Sequence, residues 1–248
     1  MDSFIPISEI KKAKDILQGV SIKSPFDKIE SFSKRYNSNV YFKREDLQNV
    51  RSFKIRGAYN KISSLTKSKS INGLVCASAG NHAQGFAVAC SLLDYKGTVY
   101  MPKSSTKQKI NRVKEFGKKN IEIILFGENF TQAYEMALRD CKENNKIFIH
   151  PFDDIKVITG QATLFLEIIN QIDNELDYLF IPIGGGGLIS GAINVFKQLS
   201  PQTKIIGIEP KGAPSMFQSL MKNRLVKLDK IDRFVDGIAV KKVGNYSF

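Results

Sequence analysis

Several residue types that often carry protein chemistry are scarce in this chain of 248 residues. It contains no tryptophan, two histidines and three cysteines. Cys76, Cys90 and Cys141 are far apart and form no C-x-x-C pattern, so we expect reduced thiols in a cytoplasmic protein. Neither histidine has cysteines or carboxylates at metal-ligand spacing beside it, so we expect no metal site.

Long apolar stretches are absent too. The most apolar window, residues 178–196, contains Pro182 and four consecutive glycines, which favours a buried strand, loop and helix over a membrane span. The first residues show no basic segment followed by an apolar core, so we expect no secretory signal. The sequence therefore predicts a soluble protein without a membrane partner.

Acidic residues are the minority, with 24 against 37 basic residues and a net charge of +13. Such a balance makes nucleic acid the first partner to consider. The lysines, however, are scattered (for example Lys11, Lys67, Lys69, Lys118 and Lys241), and no basic run is interleaved with aromatic residues. This pattern favours a solvated lysine coat and argues against a nucleic-acid partner.

Short apolar runs alternate with longer helical patterns along most of the chain. Strands are predicted at residues 74–77, 98–101, 121–126 and 147–149, and again at 178–183 and 204–209, with helices between them. This succession predicts an α/β protein of two lobes, each an open, mostly parallel twisted sheet with helices on both faces. Ligands of such folds bind at the carboxyl ends of the strands.

Lys54 stands between Phe53 and Ile55, just before a predicted helix. A lysine buried among apolar residues has a lowered pKa, and its neutral amine forms Schiff bases with carbonyl compounds. The alternative from these residues alone is a surface lysine whose stem lies along a core phenylalanine.

Gly184, Gly185, Gly186 and Gly187 connect a predicted strand to a helix that starts near Leu188. Converging backbone N–H groups at a helix N-terminus form a phosphate cradle; a flexible turn is the alternative. The Walker A pattern is missing, and the dinucleotide fingerprint G-x-G-x-x-G fails. Glu209, which ends the next strand, keeps a dehydrogenase interpretation open.

The segment Ser78-Ala79-Gly80-Asn81-His82-Ala83-Gln84-Gly85 also lies between a strand and a helix. Its N–H groups at the helix start suit a carboxylate, and the Asn81 amide suits a phenolic or carbonyl oxygen. A helix cap with a tight turn is the alternative. An imine-forming amine, a phosphate cradle and a carboxylate-binding turn together indicate pyridoxal phosphate acting on an amino acid.

These motifs resemble the threonine dehydratase family, fold-type II pyridoxal-phosphate enzymes related to the tryptophan-synthase β chain. The matching segments are 52–58, 78–85 and 184–188, together with 43–46, 151–153, 160–161 and 236–240. The resemblance implies that Lys54 binds the cofactor covalently, Phe53 packs against its ring and Asn81 bonds its ring hydroxyl. It also implies a phosphate site at Gly184, Gly185, Gly186, Gly187 and Leu188, and a substrate-carboxylate site at Ser78, Ala79, Gly80, Asn81 and His82.

The same resemblance implies the activity and the lobes. L-threonine would be converted into 2-oxobutanoate and ammonia, the first step of isoleucine biosynthesis in the family, and L-serine into pyruvate, with Lys54 as the base at Cα. The small lobe would span residues 50–148, and the large lobe residues 1–49 and 149–248. A homo-oligomer is expected.

Two details separate the chain from serine racemases, which belong to the same group. Ala79 stands where the racemases typically have a second serine that acts as an acid, which disfavours racemisation. Glu209 and Ala213 match the racemase cation site, but Ser215 stands where its second carboxylate would be. No metal is therefore expected there.

Length is the larger departure, because the family's catalytic region continues well beyond position 248. The sequence therefore suggests a truncated chain that lacks the closing part of the catalytic region and the regulatory domain. Besides an active lyase, it leaves open an inactive cofactor-binding fragment and, more distantly, an NAD-dependent oxidoreductase.

Overall fold

The computed structural model describes residues 4–66 and 72–248. Residues 1–3, at the chain start where no secretory signal is expected, lie outside the described residues, as do Lys67 and Lys69 of the expected lysine coat. No helix within the described residues is long and apolar enough to cross a lipid bilayer.

Helices and strands alternate as the sequence predicts. The helices are α1 (Ile7–Ile16), α2 (Glu30–Tyr36), α3 (Lys54–Ser63), α4 (Asn81–Leu93), α5 (Lys107–Gly117), α6 (Phe130–Glu143), α7 (Ile155–Ile169), α8 (Gly187–Leu199) and α9 (Ser215–Met221). The strands are β1 (Phe26–Lys28), β2 (Tyr41–Lys43), β3 (Leu74–Ala77), β4 (Gly97–Met101), β5 (Ile121–Leu125), β6 (Ile147–Phe148), β7 (Tyr178–Pro182) and β8 (Lys204–Ile208).

The larger sheet is fully parallel, with strand order β5-β4-β3-β6. Strand residues alternate between its faces, and every residue of β3 and β4 is buried. Cys76 and Val99 pack with α4 and α5 on one face, whereas Val75 and Tyr100 pack with α6 on the other. Helices on both faces explain why these strands are continuous apolar runs and not alternating ones.

A second parallel pair, β7 and β8, packs with α7 and α8 around a core that includes Phe165, Ile181 and Phe196. The N-terminal strands β1 and β2, which are connected by α2, form a separate antiparallel pair. The sequence gives no signal for β1, because three residues are too few for a periodic pattern. The predicted α/β class with parallel sheets is confirmed.

Glycines let three pairs of helices approach each other closely. A Cβ atom at Gly160 of α7 would lie 2.5 Å from the carbonyl oxygen of Arg56 in α3. A Cβ atom at Gly85 of α4 would lie 2.9 Å from the carbonyl carbon of Lys54, and one at Gly191 of α8 would lie 3.0 Å from the amide nitrogen of Ala162 in α7. Such approaches exclude larger residues, and they bring the N-terminal turns of α3 and α4 together.

Candidate active site

Lys54 is the first residue of α3. Its Nζ donates a hydrogen bond of 2.8 Å to the carbonyl oxygen of Pro151 and lies 5.3 Å from the centre of the Phe53 ring. Within the described residues it has no carboxylate partner. Burial lowers the pKa of Lys54 to about 8, so a substantial fraction of the amine is neutral near that pH.

The four glycines follow β7 and lead into α8. Gly184 and Gly186 have φ values of +52° and +95°, a region that favours glycine. A Cβ atom at Gly185 would overlap the ring of Phe152, and one at Gly187 would lie 2.8 Å from the Phe152 carbonyl oxygen. The loop therefore needs glycine for its backbone conformation and for the close approach of Phe152.

The amides of this loop are well placed for an anion. All four glycines are buried. The Gly186 N–H donates to the Ile183 carbonyl, but the N–H groups of Gly184, Gly185, Gly187 and Leu188 have no acceptor within the described part of the chain. Because buried N–H groups are rarely left unpaired, and because they stand at the start of a helix, these four amides suit a phosphate.

A second helix start carries the segment Ser78–Gly85. Ser78 follows β3, and its Oγ accepts a hydrogen bond of 3.1 Å from the Gly80 amide. The Asn81 side chain is exposed and has no hydrogen-bond partner among the described residues, and Ala79 and Gly80 lie in the turn before α4. The first turn of α4 thus offers free amides and one free carboxamide side by side.

The His82 ring does not face the predicted carboxylate site. The imidazole is 4% exposed, and its Nε2 donates a hydrogen bond of 2.9 Å to the Ile149 carbonyl. Its contribution to a carboxylate site is therefore its backbone N–H. Burial, followed by the charge of Lys54, lowers the pKa of His82 to about 3, so the ring is neutral.

The segment Ile149–Asp153 brings these motifs together, a role that the sequence analysis missed. Its carbonyl groups accept the hydrogen bonds from His82 and Lys54, and Phe152 packs against the glycine loop. Backbone carbonyls act regardless of side chain, so no residue pattern could reveal these contacts. In the sequence, only a match to the family and the predicted boundary between the two lobes mark this segment.

The end of the chain supports the glycine loop from outside. The Gly244 N–H donates a 2.9 Å hydrogen bond to the Gly185 carbonyl, and Ile238 Cα would lie 3.4 Å from a Cβ atom at Gly184. Asp153 accepts hydrogen bonds from the Asn245 side chain (2.8 Å) and the Tyr246 amide (2.9 Å). Ile238, within the matching segment 236–240, is therefore part of the wall of the site.

Metal-ligating groups are not gathered here. Within the described residues no three side chains of histidine, cysteine, aspartate or glutamate are placed to share an ion. The Glu209 carboxylate instead accepts hydrogen bonds from the amides of Met216 (2.9 Å) and Phe217 (2.8 Å), at the start of α9.

These residues fit pyridoxal phosphate. The Lys54 amine, which has no carboxylate partner among the described residues, suits an aldehyde, and the four loop amides without an acceptor there suit a phosphate group. Both lie against Pro151 and Phe152, two consecutive residues, so one small molecule can reach both.

Comparison with known proteins agrees with this fit. Residues 18–248 match the family described as pyridoxal-phosphate dependent enzyme. The chain is 50% identical over 244 residues to the biosynthetic L-threonine dehydratase of Halalkalibacterium halodurans, covering 98% of this chain and 59% of that protein. The curated relatives it matches are thus longer, and the chain spans about three fifths of their length.

Solved structures give the same result. The processed form of threonine deaminase isoform 2 from Solanum lycopersicum superposes with a TM-score of 0.90 at 41% identity, covering 100% of this chain and 72% of that one. Maize serine racemase superposes with a TM-score of 0.91 at 29% identity, covering 99% of this chain and 73% of that one. Because residues 18–248 match its model, this chain belongs to the family of pyridoxal-phosphate dependent enzymes.

Proposed function

We propose that the chain carries the pyridoxal-phosphate dependent deamination of L-threonine to 2-oxobutanoate and ammonia, and of L-serine to pyruvate. The observation that carries the proposal is Lys54: an amine with a lowered pKa and no acidic partner among the described residues, set against the same short segment as the glycine loop. The relatives named biosynthetic L-threonine dehydratase and threonine deaminase support threonine as the substrate.

The proposed cofactor ligands come from three helix starts. Lys54 would bind the aldehyde, Gly184–Gly187 and Leu188 the phosphate, and Asn81 the ring hydroxyl, with Phe53 packing against the ring. When bound, pyridoxal phosphate supplies an electron sink for the pair left at Cα after proton loss. The protein's own part is to hold the reacting groups in place and to keep the phosphate dianion away from water.

Lys54 would take the Cα proton of the substrate on Nζ. A general base works best when its pKa lies near the working pH, and burial brings the pKa of Lys54 to about 8. An ordinary surface lysine, with a value of 10.5, would be almost fully protonated at pH 7.5. The burial of this amine is therefore the property that fits it to the reaction.

The segment Ser78–His82 would bind the substrate carboxylate through its remaining N–H groups, because the Ser78 N–H already donates to the Tyr100 carbonyl (3.1 Å) and the Gly80 N–H to Ser78 Oγ (3.1 Å). Ala79 has no hydroxyl group, so position 79, where serine racemases typically have a second serine, offers no acid that could return a proton to the opposite face of Cα. That absence supports elimination over racemisation, although the chain also superposes on a serine racemase.

We also propose that residues 50–148 form a small lobe set into a large lobe of residues 1–49 and 149–248, and that the protein is a cytoplasmic homo-oligomer. The four-stranded sheet inside the first range supports the division, and three free cysteines support a reducing compartment.

The test is turnover of threonine by this 248-residue chain with added pyridoxal phosphate, with 2-oxobutanoate measured beside Lys54→Ala. We expect product from the native chain and none from the variant. Borohydride reduction followed by peptide mass spectrometry should place the cofactor on Lys54. A labelled, well-folded chain without product would support the inactive fragment, and a chain without label at Lys54 would refute the proposal.

A further inference from the structure

Four buried charged side chains, named here the four-charge cluster, lie beside the first turn of α3 and have no part in the chemistry proposed above. They are Lys43, Glu45, Arg56 and Glu167. Each comes from a different element: β2, the 3₁₀ turn Glu45–Leu47, α3 and α7. The cluster therefore connects the N-terminal segment and α7 to the helix that begins with Lys54.

Arg56 is the centre of the cluster and is 1% exposed. Its Nε and Nη2 each lie 2.8 Å from one carboxylate oxygen of Glu45, and its Nη1 and Nη2 lie 2.6 and 3.0 Å from the two oxygens of Glu167. It also donates to Thr163 Oγ1 (3.2 Å) and to the Ile22 carbonyl (3.1 Å). Two carboxylates held by one planar guanidinium fix its orientation about every axis.

Lys43 holds the second carboxylate from the other side. Its Nζ lies 2.6 Å from Glu167 Oε2 and also donates to the Ser24 carbonyl (2.7 Å) and to Gln171 Oε1 (2.8 Å). Two cations thus balance two anions, and Glu167 cannot rotate without losing bonds to both.

Stability alone does not explain such a cluster. Removing four charges from water costs about as much as their attraction returns, and apolar residues of similar volume often stabilise a protein as well or better. What a bidentate arginine provides beyond apolar packing is geometry, because its bonds hold only one orientation of the residues that carry it.

Arg56 follows Lys54 by two residues, which is about 3 Å along a helix axis. The backbone of this turn is also pressed on two sides, since Gly85 approaches Lys54 and Gly160 approaches Arg56. The glycine contacts limit translation of the turn, and the Arg56 fork limits its rotation. The direction of the Lys54 side chain toward Pro151 depends on that rotation.

We propose that Arg56 is a positioning residue for Lys54: its paired bonds to Glu45 and Glu167 set the rotation of the first turn of α3, and so hold Nζ of Lys54 where it meets the cofactor aldehyde. The aldehyde in this statement rests on the proposed function. The placement of Nζ does not, and it can be measured in the protein without cofactor.

The test compares Arg56→Lys with Lys61→Gln as the matched control. Arg56→Lys keeps the positive charge but cannot form the paired hydrogen bonds to Glu45 and Glu167. Lys61 is on the same helix and forms an ion pair of 2.8 Å with Asp154, but both partners are partly exposed. Competitive acetylation with acetic anhydride across the pH range, read for the Lys54 peptide by mass spectrometry, gives the pH midpoint of Lys54 in each cofactor-free protein. The rate of borohydride-trapped pyridoxal phosphate on Lys54 gives a second readout.

In the native chain the acetylation midpoint should lie near pH 8. Arg56→Lys should raise it toward the ordinary lysine value, because a loosened turn admits water, and should slow trapping about 10- to 100-fold. Lys61→Gln should leave both unchanged. A folded Arg56→Lys protein with the native midpoint and the native trapping rate would overturn the proposal.

If Arg56→Lys does not fold, Glu45→Gln takes its place, because it is isosteric and leaves the bonds to Glu167 intact. Failure of both variants to fold would overturn the proposal in favour of a purely structural role. If native protein and variant both lack trapped cofactor while their midpoints differ, the proposed function fails and the positioning role of Arg56 stands.

Discussion

Lys43 and Lys54 are two lysines withdrawn from water in the same molecule, and they differ in their partners. Lys43 Nζ lies 2.6 Å from a Glu167 oxygen, with a side chain 7% exposed. Lys54 Nζ lies 2.8 Å from the Pro151 carbonyl, which carries no charge. Burial lowers the pKa of both lysines. For Lys43 the hydrogen bond and the charge of Glu167 oppose that shift. Lys54 has no such carboxylate among the described residues, and its pKa falls to about 8.

The comparison shows that burial alone does not make a lysine reactive. A buried lysine with a carboxylate remains a cation and acts as a structural connector, as Lys43 does between β2 and α7. A buried lysine that faces only a carbonyl can give up its proton, at a cost to the folded state. The predictions below alter one lysine's surroundings at a time, in order of expected effect.

Glu167→Gln removes the carboxylate that Lys43 and Arg56 share, and leaves the four-charge cluster with a surplus positive charge. Breaking a buried pair in this way should lower the free energy of unfolding by at least about 3 kcal/mol. Urea denaturation at pH 7 measures the change. As a control, Glu9→Gln breaks an exposed pair with Lys12 and should have no measurable effect. A loss for Glu167→Gln no larger than for the control would contradict the structural role of Lys43.

Lys54→Met removes a partly buried cation that has no acidic partner among the described residues, so it should stabilise the cofactor-free protein. Below pH 8 the lysine is charged in both states, and the folded state bears the full desolvation cost. Between pH 8 and the ordinary value of 10.5 the unfolded chain binds more protons, so the stability of the native protein rises with pH. The gain of the variant should therefore be at most about 3 kcal/mol at pH 7, since the side chain is only partly buried, and should fade near pH 10.5.

Urea denaturation of both proteins at pH 7 and at pH 10 measures this difference. Lys61→Met is the control, because Lys61 has an acidic partner in Asp154. A gain for Lys54→Met that grows with pH would show that the sign is wrong, and no gain at either pH would show that the amine is not desolvated.

The sequence was sufficient for the local features of this comparison and not for the distant ones. The helix after Lys54, the strand before the glycines and the turn before α4 all follow from apolar spacing and glycine positions, and the structure has them, with the helix starting slightly earlier, at Lys54 itself. The position of Phe53 next to Lys54 in the sequence predicts an apolar neighbour for the amine, and in the structure the ring centre lies 5.3 Å from Nζ. Such features depend on neighbours within one or two turns.

The partners of the two lysines depend on long-range packing. Lys43 meets Glu167 across 124 positions, and Lys54 meets Pro151 across 97. Sequence spacing alone does not show that Lys43, Glu45 and Arg56 are buried, since lysine, glutamate and arginine are seldom fully buried. Only the fold reveals that one lysine received a carboxylate and the other a carbonyl.

Gly185→Ala tests the glycine loop, the proposed phosphate site that lies near Lys54 and away from Lys43. The added Cβ would overlap the Phe152 ring, so the loop or the ring must shift at a cost of about 1–3 kcal/mol. We expect the affinity for pyridoxal phosphate to fall about tenfold, by absorbance titration, because 1.4 kcal/mol corresponds to one factor of ten.

Gly237→Ala is the matched control, because Gly237 is exposed and no atom of the described residues lies within 4 Å of a Cβ added there. Pyridoxal, which has no phosphate, separates the two causes of a loss. If its binding falls as much as that of pyridoxal phosphate, then Gly185→Ala disturbs the lysine end, and the amides of the loop are not a phosphate site.

The smallest expected effect concerns the two histidines near Lys54, which should not titrate at all between pH 8 and pH 5. Burial, and then the Lys54 charge for His82, lowers the pKa of His82 to about 3; burial lowers that of His150 to about 4. Since the chain has only these two histidines, their ring-proton signals in an NMR titration are readily followed. Both should stay fixed in the folded protein and move near pH 6.5 in urea. Because both folded pKa values lie below the unfolded value, acid should favour the unfolded chain increasingly below pH 6.5.

A folded-state midpoint between pH 5.5 and 7 would mean that a second group near Lys54 changes charge in the working range. The low pKa of Lys54 could then no longer be assigned to burial alone, and its contrast with Lys43 would lose its physical basis.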